Sequence, residues 1–254
     1  MPTYKTPDVY VEEISVFPPS VAEVETAIPA FIGYTEKAIN KTADDLILVP
    51  TRIESLKDYE LYFGGPKDDA IALTVEDQGD AGYKVTSFTE PTVLYILYYS
   101  VKLFFDNGGG QCYITSVGTY QEPAAIELDT APLDTFGLRD GLDAVALEDE
   151  PTLIVIPEAV NLTAADYSSL VEAVLAQCGT LKDRFGIFDL RDGGKDLTSA
   201  DLDTNRGYFG TSDSLKYGAA YYPFLKTTLN YSVKDDESNV SVIFVPVGGP
   251  ANAV

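Results

Sequence analysis

Short β-branched and aromatic runs alternate with amphipathic stretches along these 254 residues, which predicts an α/β fold with a mainly parallel sheet flanked by helices. Two observations sharpen that reading. The run Thr152-Leu153-Ile154-Val155-Ile156-Pro157 is apolar on both faces, as a central parallel strand covered by helices must be. Ser55 with Asp58, and Thr163 with Asp166, are capping patterns that open helices between strand candidates.

Taken in order, residues 6–14 form an extended arm. Pro2 and Pro7 disfavour helix there, and Val9-Tyr10-Val11 favours a strand. Pro18-Pro19 separates the arm from the next apolar run, and no turn pair lets it fold back as a tight hairpin. Its backbone donors need an edge elsewhere, either on this domain or on a neighbouring subunit. Residues 30–35 read as a buried strand. A helix opened by Ser55 stops at Gly64-Gly65-Pro66. Residues 67–90 are acidic and weakly patterned and read as a small hairpin or loop insertion.

Pro91 marks a helix start, with Leu94, Leu97, Tyr98, Val101, Phe104 and Phe105 at helical spacing up to Asp106-Asn107-Gly108. Residues 111–117 are a strand, and Leu138, Leu142 and Val145 mark a helix before the break at Glu148-Asp149-Glu150-Pro151. The central run at 152–157 follows. The helix capped by Thr163 carries Tyr167, Leu170, Val171, Val174, Leu175 and Cys178 on its apolar side. Residues 184–190, 217–225 and 240–247 are further strands, the last two divided by the acidic turn Asp235-Asp236-Glu237.

With 40 Asp and Glu against 17 Lys and Arg, the formal charge of −23 repels nucleic acid and anionic lipid. No apolar run approaches the roughly 18 residues of a membrane span, and Met1-Pro2-Thr3-Tyr4-Lys5 leads into charge rather than an apolar leader. Cytoplasmic synthesis is expected, with no direct membrane insertion. Cys112 falls in a strand and Cys178 in a helix, so both read as buried thiols rather than a disulfide.

The chain contains no histidine, which excludes a Ser-His-Asp or Cys-His nucleophile and any His-ligated metal. Gly108-Gly109-Gly110 ends a helix and opens a strand, the reverse of a phosphate-binding loop, and reads as a helix stop. Asp201, Asp203 and Asn205 begin like a calcium loop, but Arg206 replaces the glycine at the sixth position and Ser212 the glutamate at the twelfth. A solvated acidic loop is expected there. Asp189, Asp192 and Asp196 read as surface carboxylates with no convergent partner. No catalytic residue, cofactor or metal is assigned.

The opening Thr6-Pro7-Asp8-Val9-Tyr10-Val11-Glu12-Glu13-Ile14, then Pro18-Pro19-Ser20 and Ala27-Ile28-Pro29-Ala30-Phe31-Ile32-Gly33-Tyr34-Thr35, resembles the N-terminus of contractile tail sheath proteins, whose pattern is close to T-P-G-V-Y-V-E-E, P-P-S and A-V-P-A-F-I-G-Y-T. Asp8 stands where the family has Gly, and Ile28 where Val is common. Phe104-Phe105-Asp106-Asn107-Gly108-Gly109-Gly110-Gln111-Cys112-Tyr113 is similar to the sheath segment F-F-x-N-G-G-G-x-C-Y, and Glu150-Pro151-Thr152-Leu153 and Tyr221-Tyr222-Pro223 also look sheath-like.

The resemblance implies a structural subunit of a contracting sheath around an inner tube, with other sheath subunits, the inner tube protein, and baseplate or terminator proteins as partners. It implies that Thr6, Pro7, Asp8, Val9, Tyr10, Val11, Glu12, Glu13 and Ile14 exchange a strand between subunits. Residues 1–20 are then the arm, 21–247 the α/β core, and 248–254 the start of a C-terminal module that the family carries and this chain does not continue. A sheath-derived adaptor or terminator is the alternative within the same ancestry. A doubly wound nucleotide-binding enzyme is the alternative outside it.

Overall fold

The computed structural model describes residues 27–89, 94–121, 125–129, 136–233, 236 and 240–248, with the backbone of Asn252–Ala253. The arm residues 6–14 and Pro91 lie outside the described residues.

The chain runs β1 (Pro29–Thr35), β2 (Thr51–Ile53), α1 (Leu56–Phe63), β3 (Ile71–Asp77), β4 (Tyr83–Thr89), α2 (Leu97–Asp106), β5 (Cys112–Thr119) and α3 (Leu138–Val145). It continues through β6 (Leu153–Val155), α4 (Ala164–Leu181), β7 (Phe185–Asp189), α5 (Ser199–Gly207), β8 (Gly218–Tyr221), β9 (Val240–Val245) and β10 (Asn252–Ala253). The main sheet has six strands in the order β2-β5-β1-β6-β7-β8, parallel except for β2 at one edge. The expected α/β class with a mainly parallel sheet is therefore what the chain forms, and the 152–157 run does lie inside the sheet, between β1 and β7.

Strand β1 is buried along its whole length because its two faces serve two cores. Ala30, Ile32 and Tyr34 join Leu138, Leu142 and Val145 of α3 and Leu170, Val174 and Cys178 of α4. Phe31, on the opposite face, joins Tyr59 and Phe63 of α1 and Leu97 and Val101 of α2. Period-2 alternation within one strand thus fixes helices on both sides of the sheet. At Gly141 the helix α3 meets β1 and β5 so closely that an added Cβ would stand 2.4 Å from an Ile32 methyl and 2.6 Å from one of Val117.

The local signals act as read. Ser55 Oγ accepts from the Asp58 amide at 3.2 Å, and Thr163 Oγ1 accepts from the Asp166 amide at 3.2 Å. Helix α2 stops at the glycines, where Gly108 takes φ +84° and the Gly109 amide donates to the Phe104 carbonyl at 2.9 Å. Cys112 and Cys178 are free and buried, and burial pushes their thiols up to about 12 and about 11.

Several expectations are corrected. Helix α2 begins at Leu97, with Leu94 outside it, because its first amides are held by a remote carboxylate rather than a local cap. Residues 201–206 are helical instead of a loop: Thr198 and Asp201 form a capping box that opens α5. The 217–225 strand shortens to β8, with Tyr217 in a 3-10 turn and residues past Tyr221 outside the ladder. The 240–247 strand, as β9, joins a second sheet with the 67–90 hairpin, in the order β10-β9-β3-β4. Residues remote in sequence build that sheet, since β9 runs parallel to β3 and β4 antiparallel to it.

Candidate assembly surfaces

Strands β5-β1-β6-β7-β8 repeat the order of a doubly wound sheet whose chain first steps to one side of its starting strand and then to the other. In such sheets ligands enter beyond the carboxyl ends of the strands at the point of reversal, here β1 and β6. The protein fills that place itself. A 3-10 turn over Pro157–Asn161 follows β6 and carries Glu158 to full burial. Its Oε2 accepts from the Tyr34 amide at 2.9 Å and its Oε1 from the Leu97 amide at 3.3 Å, with the Ile96 amide also bonded to the carboxyl.

These bonds have a structural logic. The ladder between β1 and β5 slips after Gly33, and Glu158 takes up the Tyr34 amide at that irregularity. At the same time it supplies the N-terminal acceptor that Ile96, the residue before α2, does not provide. Gly33 leaves the room, since a Cβ there would stand 2.5 Å from Glu158 Oε2. Burial pushes the Glu158 carboxyl up to about 8, against the opposing pull of the three amides. Around it Tyr34 and Tyr95 rings sit 5.4 Å apart, and Tyr95 and Tyr120 rings 4.9 Å apart. Sequence reasoning did not single out Glu158; its one signal is a lone acid inside the otherwise apolar stretch from Leu153 to Val160.

Of the acidic residues and the asparagine noted in the sequence, Asp192, Asp196, Asp201 and Asn205 line one small cavity of about 180 Å³, while Asp189 and Asp203 do not line it. The Asp201 carboxylate accepts from the Thr198 amide and hydroxyl, Asp203 pairs with Arg206, and the Asn205 side chain accepts from the Arg191 amide at 3.1 Å while donating to the Asp201 carbonyl. Asp192 pairs with Lys195 at 2.6 Å, and desolvation raises Asp189 above the usual carboxylate range. Among the described residues no group of three or more His, Cys, Asp or Glu is placed to hold a metal. No helix of the described residues is long and apolar enough to cross a membrane.

What the surface does offer is apolar area and open strand edge. On the α2 side of the main sheet, at the carboxyl ends of β7 and β8, a groove of about 530 Å³ is lined by Ile96 just before α2, Leu103 of α2, Asp189, Tyr221, Phe224 and Leu225. The second sheet has no buried residue on β3, β4 or β9. Its strand pairing puts Leu73, Val75, Val85, Phe88, Val242 and Phe244 on one face, a pattern the Tyr83 and Phe244 rings continue at 6.0 Å. Strand β4 is exposed throughout, with Tyr83, Val85 and Phe88 at 74%, 55% and 52% of full exposure.

No protein-family model and no curated protein matches the chain. Among solved structures it is similar to a chain in the cryo-EM structure of the anti-feeding prophage (AFP) baseplate in contracted state, with a TM-score of 0.52 and 22% sequence identity over 90% of this chain and 50% of that one. The likeness bears on fold and extends through nearly the whole α/β arrangement described above. The chain spans half the length of that neighbour.

Proposed function

We propose that this chain is a structural subunit of a contractile injection particle, of sheath type, and that it performs no bond chemistry. The observation that carries the reading is the fold likeness over 90% of the chain to a component of a contracted prophage baseplate structure. The sheath-like motifs add to it, because they fall where the fold uses them: the 27–35 segment forms the doubly buried β1, and the Gly108-Gly109-Gly110 stop turns α2 into β5. The arm at residues 6–14 is the link to neighbouring subunits. Other sheath subunits, an inner tube and baseplate or terminator proteins are its partners, and a charge of −23 disfavours nucleic acid.

The filled crevice supports a non-enzymatic role, since Glu158 and the surrounding tyrosines occupy the position where a doubly wound enzyme takes its ligand. A second reading, an adaptor or terminator at one end of a sheath, is favoured by the neighbour's origin in a baseplate structure. Co-expression with a complete sheath-type subunit and its tube protein, followed by gold labelling of this chain in electron micrographs, tests both. Label along the sheath is expected. Label at one end only selects the adaptor reading, and particles free of label refute the proposal.

A further inference from the structure

Parallel sheets are normally covered on both faces, and here the α2 face is covered only in part. A row of paired residues, Ile114, Phe31, Val155, Ile187 and Ala219, crosses that face from β5 to β8. Ile114 and Phe31 are buried in the core that α1 and α2 close. Val155, Ile187 and Ala219 are only half-buried, and next on the same face come Asp189 and its pair Tyr221, which is 57% exposed. The closed core stops short of β7 and β8, where the groove of about 530 Å³ opens.

The groove is apolar on both sides. Ile96, Ser100 and Leu103 recur at helical spacing on a side of α2 distinct from the Leu97 and Val101 side that enters the core. The Ser100 hydroxyl turns back to donate to the Ile96 carbonyl at 3.1 Å. The other wall is the segment from Tyr221 to Leu225, with Leu225 81% exposed. Past Ser100, Leu103 and Thr227 the groove continues into a hollow of about 180 Å³ lined by Tyr99, Leu229 and Tyr231. An open trough along a helix suits an extended chain better than a compact small molecule.

The one charged group in the trough is Asp189. Among the described residues no hydrogen bond or ion pair reaches its carboxylate, and although exposed to the groove it is walled closely enough that desolvation raises its carboxyl. We infer that the trough takes an extended segment of a basic partner protein, with a lysine or arginine on Asp189 and apolar residues two positions to either side. Ile187 and Asp189 stand about 6.6 Å apart on one face of β7, and an extended segment repeats its side chains at that same interval. The cation meets the carboxylate while its apolar neighbours meet Ile187, Leu103 and Leu225. A second copy is disfavoured by its own charge of −23, so the occupant is a different protein. The surface is read from this fold alone and holds whether or not the chain belongs to a sheath.

The test titrates the full, isotope-labelled chain with the synthetic peptide acetyl-Gly-Leu-Ser-Lys-Ser-Leu-Gly-amide and with its counterpart carrying glutamate for lysine. Salt at about 0.15 M screens the general attraction of an acidic chain for any cation. Amide shifts should move in the 96–103 and 219–231 segments and at Asp189, saturating near about 1 mM for so small a contact. Asp189→Asn should weaken the lysine peptide about fivefold, and Leu225→Arg, too exposed to disturb folding, at least as much. The glutamate peptide should not bind. Equal affinity for the Asp189→Asn chain, or equal binding of the glutamate peptide, overturns the inference. So do shifts confined to another surface, a bound peptide that is helical by transferred nuclear Overhauser effects, or no saturable binding below about 10 mM.

Discussion

Replacing Glu158 by alanine should cost this fold more than almost any other single change. The carboxyl serves three amides, those of Tyr34, Ile96 and Leu97, in a place closed to solvent. A buried amide left without an acceptor costs about 1–3 kcal/mol, and water entering the vacated space recovers part of that for one or two of them, so a loss of about 3–6 kcal/mol is expected. Set against the roughly 5–15 kcal/mol by which domains of this kind are stable, the variant should lie near the edge of unfolding. Urea unfolding at pH 7 measures the loss, and amide exchange locates it: the first turn of α2 and the Tyr34 amide should open first.

Glu158→Gln adds a proton test. The folded carboxyl titrates near 8 against 4.5 for the ordinary group. Between those values the folded state holds a proton that the unfolded state has released, so raising the pH favours unfolding. The stabilisation is complete below about 4.5 and is lost as the pH rises through about 8, amounting to at most about 5 kcal/mol. Other carboxylates contribute their own slope; the wild type minus Glu158→Gln difference isolates this one. If Glu158→Ala costs less than about 1 kcal/mol, or the difference curve is flat, the carboxyl is not the strut described.

Three further outcomes are expected. Gly141→Ala should lower stability by about 1–2 kcal/mol in thermal or urea melts, because crowding of Ile32 and Val117 outweighs the helix-propensity gain; a stabilised variant would refute the close approach. Deleting residues 1–16 should leave the melting temperature of the remaining chain nearly unchanged while abolishing co-assembly with a sheath-type subunit, and a loss of several kcal/mol on deletion would make the arm part of its own domain. Association between copies should strengthen as salt is raised toward about 0.15 M, where charges beyond about 8 Å are screened, as sedimentation would show; a steady loss with salt would mean that complementary patches dominate.

Much of the fold was legible because it is written in short-range chemistry. Ser55 and Thr163 sit three residues before the acids that complete their caps, and the apolar run at 152–157 marks an inner strand, although only Ile154 of β6 is buried and Leu153 and Val155 on its other face are half-buried. What sequence reading missed depends on distance along the chain. The start of α2 is set by Glu158, 61 residues from Leu97, so no local pattern marks it and Pro91 drew the boundary too early. The second sheet joins β3 to β9 across the whole main domain, which periodicity within either segment does not encode. At 201–206, the calcium-like spacing of acids competed with a Thr198 and Asp201 capping box in the same residues, and the cap won.

Among the described residues, the segments leading into β3 and β9 are tied to each other and to α2. Ser232 donates its amide to the Tyr99 hydroxyl at 2.9 Å and its hydroxyl to Asp68, the Asp69 amide donates to the Ser232 carbonyl, and the Tyr99 and Tyr231 rings meet edge to face at 5.7 Å. Because β3, β4 and β9 bury no residue of their own, little cooperativity passes from the main core into this sheet. It should behave as a separate unit that opens and recloses while the six-stranded body stays intact. The second sheet is thus a compliant element mounted on a stiff frame, and a force drawn through it would reach the frame at Tyr99 on α2, one turn from the end that Glu158 holds.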